Sequence, residues 1–369
     1  MKRYFVLVAC VCMLACLGTN QAWSVFVKPL TTEYGLSKFQ TQLVFSTGTF
    51  FFCFMIIFGG RLHDRLGPRP LAVASACILG CAWYLASTRG SDFFFLWLGI
   101  GVLGGTGSGV GYVCPIATAV KWFPRHRGLV SGLMVAGFAG GPVLLSNLSE
   151  ILLARHWHVL RIFGLVGSVY VPVIFVTGLL LVLPPGQPGH AEVVAFRRRK
   201  LFTDRRFWTL FAGMFTGTLP YLLVMGDVKP IGLDFGIGAA AVAAISVVAV
   251  GNACGRIFWG IIVDHIGTRR AMLRAQTLMI VSMLCLILLG RLHPVVFLAA
   301  AFGVGFCYGS NFAIYPASTA QFYGAHVLGS VYPLVMAAQG FSSFAPMLNG
   351  LLFDVTDSYL PGLSIAAGF

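Results

Sequence analysis

Apolar residues in this chain come in long blocks separated by short polar connections, and that pattern admits few folds. The first block runs from Tyr4 to about Val27. A helix rises ~1.5 Å per residue, so about 20 residues cross the ~30 Å of hydrocarbon in a bilayer. Eleven such blocks can be counted, at roughly 4–27, 40–60, 70–88, 93–119, 128–152, 160–183, 207–228, 238–262, 271–290, 294–317 and 328–352. A twelfth starts near Tyr359 and reaches only Phe369, too few residues to cross. The expected fold is an all-α membrane protein whose twelfth span is incomplete in this sequence.

Only 10% of residues are charged, against about 25% in a soluble domain. The net charge of +14 would suggest nucleic acid in a soluble protein. Here most basic residues sit in the short connections, where they set topology, so the expected partner is the lipid bilayer and not nucleic acid. With the N-terminus inside, 17 of the 25 Lys and Arg fall in inner segments and span ends, seven in outer ones, and Arg256 alone lies deep within a span. That bias predicts a cytoplasmic N-terminus in the cell (inner or plasma) membrane. The opening MKRYFVLVAC has the layout of a signal peptide, but its apolar run continues to Val27 and further spans follow, so it reads as an uncleaved first span.

Several chemistries find no support. All ten cysteines fall in apolar blocks without a CxxC pair and read as packing residues. No His lies at the centre of a span, so no metal site is expected. The Gly-rich runs GGTGSGVG and AGFAGGP are not followed by GK[ST]; they let helices approach closely. Without a nucleotide motif or catalytic groups clustered at one depth, the chain reads as neither an ATP-driven pump nor an enzyme, and no cofactor is expected.

The longest polar stretch, 184–206, contains PPGQPGH, RRRK and RR and reads as a cytoplasmic linker between two six-helix halves, 1–183 and 207–369. The halves repeat. VKPLTTEYGLS at 27–37 matches VKPIGLDFGIG at 228–238, GRLHDRLGPR at 60–69 matches GIIVDHIGTR at 260–269, and Pro115 matches Pro316, all at offsets of 200 or 201. Six spans separate the copies, so the repeat is parallel, and a substrate site is expected near the midplane between the halves.

The loop Gly60-x-x-x-Asp64-Arg65-x-Gly67-x-Arg69 resembles the signature between spans two and three of the major facilitator superfamily. Its copy, Gly260-x-x-x-Asp264-His265-x-Gly267-x-Arg269, sits between spans eight and nine, where that family repeats it. Pro68 and His265 depart from the basic residues the family prefers. Asp64 and Asp264 could each face the positive N-terminal end of a neighbouring helix. Within the superfamily, GTGSGVGYVCPIATAVKWFPRHRGLVSGL in span four and GNACGRIFWGIIVDHIG in span eight are similar to the oxalate:formate antiporter and monocarboxylate transporter group.

Arg256 is the candidate that matters most. A charge at that depth costs several kcal/mol unless it meets water or a partner, and no acidic residue lies within two turns of it. An unpaired guanidinium facing a cavity would clamp a carboxylate, because its fork matches two oxygens; the alternative is snorkelling to the inner surface. The resemblance also implies a substrate-binding Arg in span eight. Asn252 shares the same helical face and could bind substrate, hold the guanidinium, or bond another helix. Tyr112 and Tyr308 sit mid-span in spans four and ten. The resemblance makes these two site positions, with Phe138 and Phe312 lining the cavity. Packing is the competing role for each.

Gln21 and Gln339 are uncharged polar groups at membrane depth. The oxalate antiporters carry a second cation, a Lys, at the point corresponding to Gln339. One cation balances one carboxylate. The expected function is therefore secondary active transport of a small monocarboxylate (lactate, pyruvate or formate type) by alternating access, proton-coupled or by exchange. An oxalate-type dicarboxylate antiporter and a non-transporting membrane sensor are the alternatives. No embedded carboxylate stands out as the proton carrier; Asp227, at the outer end of span seven, is the nearest candidate.

Overall fold

The computed structural model describes residues 2–123, 127–184, 201–238, 240–324 and 328–368, and its chain divides into two compact units, Met1–Ala191 and Glu192–Phe369. Among the described residues the regular structure is helical throughout, and ten helical runs are long and apolar enough to cross a membrane.

The first unit holds α1 (Lys2–Leu17), α2 (Ser24–Tyr34), α3 (Lys38–Leu66), α4 (Pro68–Arg89), α5 (Phe93–Leu96), α6 (Gly105–Trp122), α7 (Arg127–Ala154) and α8 (Val159–Leu180). The expected first span, 4–27, is not one α-helix: a 3₁₀ stretch at Gly18–Ala22 joins α1 to α2. There the chain lies so close to α7 that a Cβ at Gly18 would run into the Phe138 carbonyl. In span four a π-helical stretch, Trp97–Gly104, joins α5 to α6. α3 starts on a capping box, in which Gln40 N donates to Ser37 Oγ at 3.1 Å and Ser37 N to Gln40 Oε1 at 3.0 Å. Two apolar cores hold the unit together, one around Met13, Leu17, Leu79 and Met134, the other around Phe26, Phe45, Leu96 and Phe163.

The second unit holds α9 (Arg205–Asp234), α10 (Ala240–Ile266), α11 (Thr268–Leu289), α12 (Pro294–Gly309), α13 (Asn311–Tyr323), α14 (Leu328–Ser342), α15 (Ala345–Thr356) and α16 (Leu360–Gly368). Its core gathers Phe207, Met214, Trp259, Ile314, Tyr315 and Val335. The span expected at 328–352 is two helices, broken at Ser343–Phe344. Pro346 explains the break: it has no N–H to give the Ser342 carbonyl four residues back, and its ring crowds that carbonyl. The linker expected at 184–206 falls largely outside the described residues, as does its RRRK run.

α10 and α12 meet backbone to backbone. A Cβ at Gly251 or Gly255 would run into the carbonyls of Phe302 or Phe306, and one at Gly305 into the Val248 carbonyl. Glycine thus sets the spacing of these two helices, and with it the distance between side chains that each presents.

Candidate functional site

The approach of α10 to α12 brings five of the candidate residues into one constellation in the second unit. Arg256 Nε donates to Asn252 Oδ1 at 3.1 Å, one turn back on α10. The guanidinium carbon lies 3.8 Å over the centroid of the Phe312 ring, a cation–π contact. Phe312 packs edge-on against Tyr308, with centroids 5.3 Å apart and planes at 83°. Gln339 Nε2, from α14, donates to Tyr308 Oη at 2.9 Å. Asn252, Tyr308 and Gln339 are buried, and Arg256 is half-buried.

Tyr221, on α9, completes the group and is absent from the sequence-based candidates. It is fully buried, stacks on Tyr308 with centroids 3.5 Å apart, hydrogen-bonds the Asn252 side chain, and lies within reach of the Arg256 charge. A hydroxyl-bearing aromatic next to Pro220 in mid-span was the available signal.

The arrangement leaves Arg256 chemically open. Its Nε edge is taken by Asn252 and one face by Phe312. Among the described residues no carboxylate pairs with it, and its two terminal nitrogens have no acceptor. Those nitrogens are the fork that binds a carboxylate in bidentate fashion. The Gln339 Oε1 atom is buried and also lacks a donor among the described residues.

In the first unit, Tyr112 and Phe138 are in contact, their ring centroids 5.0 Å apart. Phe52, not among the expected residues, touches both at 5.3 and 5.8 Å. Gln21 lies on the 3₁₀ stretch that packs against α7. A small cavity of about 30 Å³ lined by Thr19, Asn20, Trp23 and Ser108 has room for about two waters.

The two signature loops share a backbone feature. Gly67 has φ 82° and ψ 174°, and Gly267 has φ 79° and ψ 159°, a region essentially restricted to glycine. Gly60 and Gly260 have open space where a Cβ would sit, so packing does not require glycine there. Arg65, Arg69, Asp264 and Arg269 are exposed, and Asp264 has no ion-pair partner among the described residues. The Asp64 side chain lies outside the described residues. Thr268, just after the second loop, donates to Gln321 Oε1 at 2.8 Å and ties the loop to α13.

Comparison with known proteins adds to this geometry. The profile of the Major Facilitator Superfamily matches residues 8–346. The chain is 25% identical over 356 residues to the oxalate:formate antiporter of Oxalobacter formigenes, covering 93% of this chain and 82% of that one. It is 22% identical over 351 residues to apicoplast pyruvate carrier 1 of Toxoplasma gondii, covering 77% and 64%. Among solved structures, a bacterial homologue of the human lysosomal transporter Spinster superposes with a TM-score of 0.71 at 17% identity, covering 96% of this chain and 83% of that one.

Proposed function

Because this chain belongs to the Major Facilitator Superfamily, and is therefore an integral membrane transporter, we propose that it carries small monocarboxylate anions, with Arg256 as the group that holds the carboxylate. The observation that carries this reading is the open fork of Arg256. The guanidinium is fixed by Asn252 on one edge and by Phe312 on one face, while among the described residues its terminal nitrogens have no acceptor. Each charge-assisted bond it makes to a carboxylate oxygen contributes about 1.5–3 kcal/mol. The likeness to an oxalate:formate antiporter and a pyruvate carrier supports the same substrate class.

Charge count supports a monoanion over a dianion. Among the six residues of the constellation Arg256 is the sole cation, and Gln339 is neutral. A monocarboxylate leaves the site neutral; oxalate would leave one buried negative charge without a partner, which is costly. The basic residues of the inner connections support a cytoplasmic N-terminus. The mechanism is alternating access, by proton symport or by exchange.

The experiment is counterflow of labelled pyruvate, formate and oxalate in proteoliposomes, alongside thermal shift of the purified chain with the same anions. A monocarboxylate that exchanges and raises the melting temperature supports the reading. A chain that is stabilised by none of them and exchanges none of them is not a carboxylate carrier.

A further inference from the structure

Span seven buries a carboxyl group outside the constellation just described. Asp227 is fully buried on α9, seven residues before the helix ends at Asp234, or ~10 Å along the axis. Asn349 of α15, itself 1% exposed, donates from Nδ2 to Asp227 Oδ2 at 2.7 Å. The other end of that amide is idle: Asn349 Oδ1 is buried and has no donor among the described residues. α16 closes over the amide so tightly that a Cβ at Gly362 would collide with Oδ1.

The ionisable surroundings can be named helix by helix. On α9 itself are Lys229, which is buried, and Asp234, which pairs with Arg291 from beyond the end of α11 at 3.6 Å. On α15 is Asp354. Tyr359, ahead of α16 and fully buried, lies within reach of the charges of Asp227, Asp234 and Asp354. α10 and α12 contribute Arg256 and Tyr308, grouped around Tyr221. Tyr221 is six residues, or ~9 Å, before Asp227 on α9.

We propose that Asp227 and Asn349 form the proton-binding site through which this carrier couples carboxylate movement to protons, an assignment that rests on the carboxylate reading above. A carboxylate opposite an amide can use only the N–H₂ end, and the idle buried oxygen forfeits a hydrogen bond. Protonation of Asp227 supplies the missing O–H donor, so acid and amide can then bond in both directions. The proton comes from water onto a carboxyl oxygen, changing the group from −1 to 0, and returns to water on release. No other bond forms or breaks.

Charge balance joins this site to Arg256. In the empty unit, the Arg256 cation and the Asp227 anion offset one another. In the loaded unit, the substrate offsets Arg256 and the proton offsets Asp227. The net charge of the pair is zero in both states only when one proton accompanies one monocarboxylate. Charge at membrane depth is expensive, so movement of the doubly loaded and the fully empty forms is favoured over the singly loaded ones.

The test uses the full chain with Asp227→Asn, which keeps shape and removes the titrating group. In proteoliposomes, an inward proton gradient should drive uphill accumulation of labelled pyruvate by the wild type. The variant should lose at least ~10-fold more of that accumulation than of pyruvate exchange, corresponding to ~1.4 kcal/mol of lost coupling. In substrate-free purified protein, the infrared carbonyl band of a protonated carboxyl should appear as pH falls, and should be missing from the variant. Should Asp227→Asn fail to fold, Asn349→Leu serves: it keeps the carboxyl and should shift the pH at which the band appears. Proton-driven accumulation by Asp227→Asn equal to wild type overturns the assignment, as does an unchanged infrared band or wild-type accumulation indifferent to the proton gradient. Absence of any pyruvate exchange by wild type overturns the carboxylate reading instead, and the infrared band then decides the proton site by itself.

Discussion

Tyr221 and Tyr308 stack face to face, with ring centroids 3.5 Å apart and planes within 3° of parallel, although they come from α9 and α12. Each hydroxyl is engaged elsewhere, Tyr221 with Asn252 and Tyr308 with Gln339. The stack therefore links two polar groups of the constellation, Asn252 and Gln339, through two rings. Tyr221→Phe and Tyr308→Phe keep the stack and remove one hydrogen bond each. Each is expected to weaken monocarboxylate binding by about 2- to 10-fold, the worth of one net hydrogen bond of ~0.5–1.5 kcal/mol. Titration calorimetry with pyruvate checks this; unchanged affinity in both variants would make the stack purely structural.

Arg256→Gln removes the fork and should lower monocarboxylate affinity by about 100-fold or more, the loss of two charge-assisted bonds of ~1.5–3 kcal/mol. Arg256→Lys keeps the charge but not the planar geometry, and should recover only a minor part of the loss. Uptake initial rates with labelled pyruvate decide it, with expression and melting temperature as controls. Near-normal uptake by the Gln variant is incompatible with the clamp.

Gln339→Lys adds a second cation beside Tyr308. It should disfavour monocarboxylate turnover, because the empty site then repels itself. It should also improve oxalate binding by about 10-fold, on the scale of one hydrogen bond to a charged group. Competition of oxalate against labelled pyruvate in both proteins measures the shift. A wild type that already prefers oxalate would contradict the one-cation argument.

Gly255→Ala should destabilise the second unit by about 1–3 kcal/mol or more, since the added methyl meets the Phe306 carbonyl and overpacks the α10–α12 contact. Gly260→Ala, with open space at its Cβ, should be neutral or slightly stabilising. Melting temperatures of the two variants in detergent separate these outcomes.

The spans were legible because a bilayer demands about 20 apolar residues in a row, whatever the tertiary contacts. The interruptions were not, because they are settled locally: Pro346 costs one carbonyl its partner, and Gly18 lets two backbones touch. Arg256 was visible as a lone cation in an apolar block. Tyr221 was marked only by its place beside Pro220 in mid-span, a signal without charge that does not single it out among 11 tyrosines. The bond from Gln339 to Tyr308 joins residues 31 positions apart on separate helices, which no local pattern encodes.

Helices that touch through their backbones, as α10 and α12 do at Gly251, Gly255 and Gly305, have no layer of side chains on which to roll. Arg256 and Tyr308 are thus mounted on one stiff frame and keep their spacing whatever occupies the site. Any change in the width of the grip falls to the opposing jaw. That jaw is α14, which carries Gln339 four residues before the helix is interrupted at Ser343–Phe344. A short helix that ends there, joined to α15 by two residues, can pivot at the joint, where an unbroken span would have to tilt as a whole.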